Sequence, residues 1–204
     1  VNGWRPDLIV LTGDFVTKPF LFKLLHNSAQ AARVAEPCAA LLRQLSAPLG
    51  VFAVLGNHDV LTDPDFIVEN LQANGMQVLR NRAVPLERQG KRLWPAGLDD
   101  ALNGDPDPEV TMRGVPGGEA VVALVHEPDY SRRVARYGVD LQLSGHSHGG
   151  QIVIPSVGAP YLPPLGRLYP KELYRIGPLT LYTNVGLGTI RIPARWNCPP
   201  EISP

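Results

Sequence analysis

Asp14, Asn57, His58, His126, His146 and His148 share one kind of position, the end of a short strand-like run. Asp14 comes after Leu8-Ile9-Val10-Leu11, and Asn57 with His58 after Val51-Phe52-Ala53-Val54-Leu55. His126 ends Ala120-Val121-Val122-Ala123-Leu124-Val125, and His146 and His148 follow Asp140-Leu141-Gln142-Leu143-Ser144. A lone histidine usually has a structural role, but four of the five histidines obey this one rule and only His26 lies elsewhere. Carboxylate, amide and imidazole together form a donor set that favours Mn, Fe, Zn, Co or Ni over Ca or Mg. A closed structural zinc site would use cysteine, which is absent from these positions, so an open catalytic centre is the expectation.

The elements that must position these groups follow from the same runs. Continuous apolar stretches of this length suit strands buried on both faces, and α/β sheets gather ligands at the carboxyl ends of such strands. Gly13 and Gly56 stand just before the candidate ligands and permit tight turns off a strand. His146 and His148 are two apart, so on extended backbone they project from one face. Helices are predicted from near Pro37, with Cys38, Leu41, Leu42 and Leu45 at helical spacing, from Asp63-Pro64 to Asn74-Gly75, and over residues 128–137. Short strands are predicted at 77–79, 84–88 and 92–96, and late ones at 179–184 and 189–192; residues 20–35 are ambiguous.

Composition narrows the function classes. Nineteen Lys plus Arg balance nineteen Asp plus Glu, so nothing suggests a nucleic-acid surface. Cys38 and Cys198 are too few and too far apart for a zinc ribbon or a disulfide framework. No apolar run reaches the ~18 residues of a membrane span. The chain opens at Val1-Asn2-Gly3-Trp4 without a methionine, so we expect a piece of a longer protein whose targeting signals lie upstream. Two weaker signals remain. Asp99, Asp100, Asp105 and Asp107 read as a solvated turn. The proline-rich stretch 154–170 reads as a surface loop that could also wall the site.

Gly13-Asp14, Gly56-Asn57-His58-Asp59, His126 and Gly145-His146-Ser147-His148, in this order and spacing, resemble successive blocks of the calcineurin-like metallophosphoesterases. The ending Gly186-Leu187-Gly188 followed by Arg191 extends the resemblance over nearly the whole chain. It implies a single domain, residues 1–204, with an α/β/β/α sandwich of two mixed sheets between helices. It also implies two divalent metals, with Asp14 bridging them, Asn57, His126 and His146 on the second and His148 on the first. His58 would face the leaving group, with Asp59 as its orienting partner. A bridging hydroxide would hydrolyse a phosphate ester, with phosphodiesters favoured over phosphomonoesters or phosphoproteins; a non-catalytic scaffold on the same fold is the rival reading. The family's first block, Asp-x-His, does not occur before Asp14, so the domain is expected to be N-terminally incomplete, without its first strand, and poorly active as it stands. Gly145-His146-Ser147-His148-Gly149-Gly150-Gln151 resembles the bacterial, often membrane-associated branch, some of whose members hydrolyse UDP-2,3-diacylglucosamine. A lipid- or nucleotide-linked substrate, and membrane association through a segment upstream of Val1, are what that branch implies.

Overall fold

Successive side chains on a strand point to opposite faces, and here both faces are covered. Ile9 and Leu11 pack into one apolar cluster while Leu8 and Val10 pack into another. Val51 and Leu55 join the first cluster, and Phe52 and Val54 the second. The computed structural model describes residues 1–17 and 33–204. Within it, β1 (Ile9–Leu11) lies parallel to β2 (Val51–Ala53), with Ile9 opposite Val51, and β2 is parallel to β3 (Gln77–Val78). The ambiguous stretch 20–35 lies outside the described residues except for its last three, and so does His26.

A second, seven-stranded sheet follows from β4 (Arg82–Ala83), β5 (Leu86–Arg88), β6 (Lys91–Gly97), β7 (Ala120–Leu124), β8 (Leu141–Ser144), β9 (Glu172–Ile176) and β10 (Leu179–Thr183). Its order is β4-β6-β7-β8-β10-β9, with β5 also on β6. β6, β7, β8 and β10 run parallel, and β4, β5 and β9 join antiparallel. The two sheets meet through Phe52, Val54, Leu79 and Leu124, each almost wholly buried.

Helices cover the two outer faces. α1 (Ala35–Leu42) and α3 (Pro64–Ala73) lay Ala35, Ala39, Ile67 and Leu71 on the first sheet. α4 (Pro108–Met112) and α5 (Ser131–Val134) bring Met112 and Val134 to the second. The expected α/β/β/α sandwich is therefore present. The strand that the family resemblance places beside β1 has no counterpart among the described residues, where β1 is a sheet edge. Asp63 caps α3 by accepting from the Phe66 N–H at 3.2 Å, with Pro64 in the first turn, as its sequence suggested. Asp107-Pro108 uses the same device to start α4, at the end of the aspartate cluster that reads as a solvated turn.

Four local expectations are corrected. α2 (Asn57–Thr62) begins directly at the predicted ligand block. Residues 128–137 form a 3₁₀ turn, Pro128–Tyr130, and then the short α5. Residues 189–192 form no strand, because a glutamine side chain takes up their backbone groups. Leu41 faces outward and is 68% exposed.

Two substitutions test the sheet-to-sheet core in urea melts. Phe52→Ala, which empties a fully buried site, is expected to cost about 3–5 kcal/mol. A Cβ on Gly97 would stand 2.3 Å from the Leu79 Cβ and 2.8 Å from the Val54 Cγ1, so Gly97→Ala should cost about 1–3 kcal/mol by overpacking. Unchanged midpoints for both would mean that the sheets do not pack here.

Candidate metal centre

The site begins with two loops that touch. After β1 the chain turns at Gly13 (φ 97°) and sets Asp14 in a left-handed conformation (φ 61°). After β2 it reaches Gly56, the residue before α2. A Cβ on Gly13 would lie 2.5 Å from the Gly56 nitrogen, and one on Gly56 would lie 2.3 Å from Asp14 Oδ1. Only glycines allow this approach. The Asp59 carboxylate, wholly buried, ties the loops together. It accepts the N–H groups of Asp14 (2.8 Å), Phe15 (2.9 Å), Val16 (3.1 Å) and Gly56 (2.8 Å). Burial and the nearby Asp14 carboxylate push Asp59 up to about 7, against the N–H donors that favour its charged form. The resemblance implies Asp59 as an orienting partner of His58; these four hydrogen bonds also tie its oxygens to the main chain of both loops.

Asp14 is left facing outward from this base. Its Oδ1 accepts the His58 N–H at 3.0 Å, and its Oδ2 lies 3.3 Å from His126 Nε2. His126 comes from the other sheet, two residues past β7, and is buried. Its Nδ1 lies 2.6 Å from the Thr12 carbonyl, which can only accept, so Nδ1 carries the hydrogen and Nε2 turns to the site. His146 follows β8 and obeys the same logic. Its Nε2 donates to the Pro164 carbonyl at 2.8 Å, which leaves Nδ1 facing His126 Nε2 at 3.2 Å. Two imidazole lone pairs and a carboxylate thus point into one small space, and such a set requires a cation.

A proton or a metal can meet that requirement. Burial opposes charge on His126, yet the Asp14 carboxylate pushes it up to about 10, while burial and the neighbouring His126 push His146 down to about 4. Ligating atoms of Asp14, His126 and His146 all lie within 4.8 Å of one another. Two buried atoms beside them, Asn57 Oδ1 and His148 Nδ1, have no hydrogen-bond partner, each an omission worth ~1–3 kcal/mol. His148 is also pushed below the ordinary histidine value, first by burial. Divalent metal fits this donor set better than a proton does, because it would also answer these two orphaned polar atoms.

His146 and His148 do not extend the strand. Both have positive φ (65° and 52°), and His148 opens the 3₁₀ turn His148–Gly150. They nevertheless line the same cavity of about 600 Å³ as Asp14, Asn57 and His58. Pro160, Tyr161, Pro163 and Pro164 wall it too, so the stretch 154–170 borders the site.

Glu127, the residue after His126, pairs its carboxyl with that of Asp100, a contact the sequence reading does not anticipate. Asp99 and Asp100 are buried and do not form a solvated turn. Asp99 takes a two-pronged contact from Arg80 (Nε 3.2 Å, Nη2 3.1 Å). Burial and the hydrogen-bonded Asp100 push Glu127 up to about 8. The placement rule that found the histidines covers this pair as well, since Asp99-Asp100 follow β6 and Glu127 follows His126.

Comparison with known proteins agrees with this geometry. The profile described as calcineurin-like phosphoesterase matches residues 1–150. The Bacillus subtilis protein named uncharacterized metallophosphoesterase YkuE is 38% identical across 100% of this chain, which spans 68% of that protein. Phosphodiesterase YaeI of Escherichia coli is 33% identical over 98% of this chain and 69% of its own. A bovine protein named transmembrane protein with metallophosphoesterase domain is 30% identical over 100% of this chain, which is 46% of that protein. Among solved structures, Haemophilus influenzae NAD nucleotidase shares the fold at TM-score 0.50 and 14% identity, over 87% of this chain and 40% of the nucleotidase. The sequence blocks, the two-sheet sandwich and these matches converge: the chain belongs to the calcineurin-like phosphoesterase family, enzymes that hydrolyse phosphate esters.

Proposed function

We propose that this protein hydrolyses phosphodiesters with divalent metal held by Asp14, Asn57, His126, His146 and His148. The observation that carries the reading is the convergence of two imidazole lone pairs and the Asp14 carboxylate. In this assignment Asp14, Asn57, His126 and His146 hold one cation, and Asp14 with His148 contributes to a second. Mn, Fe, Zn, Co and Ni all suit the donors. When bound, the cations would supply a water deprotonated near neutral pH and would offset the charge on the phosphoryl oxygens.

The chain's own residues do the rest. His58 lines the cavity on α2, with its N–H on Asp14. As the water oxygen bonds to phosphorus and the bond to the leaving oxygen breaks, His58 gives that oxygen a proton. Asp59 is a positioning residue for Asp14 and Gly56, and so acts on metal affinity and stability together. The E. coli relative's name supports a diester substrate. The bovine relative's name supports a membrane setting for the longer protein, although no described helix here is long and apolar enough to cross a bilayer.

Three outcomes test the reading. With Mn the protein should hydrolyse bis-p-nitrophenyl phosphate, and EDTA should abolish turnover; an active EDTA-treated enzyme would contradict it. His58→Asn should lower kcat by ~10²–10⁴-fold with metal content unchanged, whereas His146→Ala should lose metal. Asp59→Asn, which leaves one acceptor for four N–H donors, should cost at least about 2 kcal/mol in a thermal melt and weaken Mn binding by calorimetry. A drop in kcat with stability and metal affinity intact would instead place Asp59 on His58.

A further inference from the structure

The outer wall of the cavity carries a cation for which the proposed chemistry has no use. Among the described residues lining it, Arg191 is the only lysine or arginine. No carboxylate pairs with it among the described residues; its guanidinium instead lies over the Tyr161 ring, 4.6 Å from the centroid, with Nη2 3.5 Å from the phenol oxygen. Stacking uses the flat face of the guanidinium and leaves N–H edges for an anion.

The backbone beneath Arg191 is strained in a way that holds it there. Arg191 has φ 61°, and the Ile192 N–H bonds the Ile190 carbonyl at 2.6 Å around it. That is a γ-turn of the rare form with positive φ, which persists only when its surroundings enforce it. The enforcement comes from Gln151, which is buried. Its Oε1 accepts the Ile190 N–H at 2.7 Å, and its Nε2 donates to the Ile192 carbonyl at 2.7 Å and the Ile190 carbonyl at 3.3 Å. Gln151 sits three residues after His148, so one short segment sets both the metal-side histidine and the arginine turn. The same cavity lining carries the apolar side chains of Leu61, Leu102, Ile152, Ile190 and Ile192.

Given a phosphoesterase site at the cavity floor, we infer that Arg191 is a clamp for the substrate's phosphoryl oxygens and Gln151 its positioning residue, and that the site prefers phosphate esters with an apolar or aromatic substituent. Arginine matches a phosphoryl group with two parallel N–H bonds, and the surrounding side chains favour a hydrophobic group next to it. This inference rests on the function proposed above, and the two fail differently.

The test measures phenylphosphonate and methylphosphonate binding to the Mn-loaded protein by calorimetry, alongside hydrolysis of bis-p-nitrophenyl phosphate. The parent protein should bind phenylphosphonate more tightly than methylphosphonate. Arg191→Ala, at an exposed position, should weaken phenylphosphonate binding by about 10–100-fold and raise KM more than it lowers kcat, and Arg191→Lys should recover part of the loss. Gln151→Met should give a smaller loss in the same direction, and adding it to Arg191→Ala should cost nothing more. A parent protein that neither binds phosphonate nor hydrolyses the diester overturns the phosphoesterase reading and the clamp with it. A parent that does both, with Arg191→Ala equal to it, overturns the clamp alone. The Arg191 variants decide this whatever Gln151→Met does to folding.

Discussion

A single buried carboxylate holds the working edge of this protein in place. Asp59 collects four main-chain N–H groups from the two loops that leave β1 and β2. Those donors offset only part of the cost of burying it, and the approach of the two loops leaves no room for a Cβ at Gly13 or Gly56. The same bonds force Asp14 into its left-handed conformation, which turns its side chain toward the second sheet.

From Asp14 the order of dependence runs outward. His126 crosses from β7 to the Thr12 carbonyl, so one histidine both joins the sheets and presents Nε2. His146 is aimed by the Pro164 carbonyl, in the proline-rich stretch that walls the cavity. Each of these two histidines is thus oriented by a backbone carbonyl, which fixes its tautomer. Because the two imidazoles face each other through lone pairs, the protein without metal must place a proton between them. A metal bound there would compete with that proton.

Much of this was legible in the sequence, for a physical reason. Strands covered on both faces need continuous apolar runs, so β1, β2 and β7 announced themselves, as did the polar residues that end them. What escaped was set by contacts between distant residues. Asp59 reads as a neighbour of His58, but its partners are 43 to 45 residues away in three of four bonds. Asp99 and Asp100 look like a wet turn until Arg80 and Glu127 close over them. Residues 189–192 have strand-like side chains, yet the Gln151 side chain takes the backbone groups that a ladder would use. β9, for which the sequence reading offers no strand, is set by its antiparallel pairing with β10, and the helical start at Asn57 by Asp59 accepting the Gly56 N–H.

The central claim is that residues from both sheets converge on one metal. The most direct measurement is anomalous diffraction at the manganese edge from crystals grown with Mn. The account predicts a peak within bonding distance of Asp14, Asn57, His126 and His146, with His126 still on the Thr12 carbonyl. A peak only at other carboxylates, with His126 and His146 remaining in direct contact with each other, would contradict it.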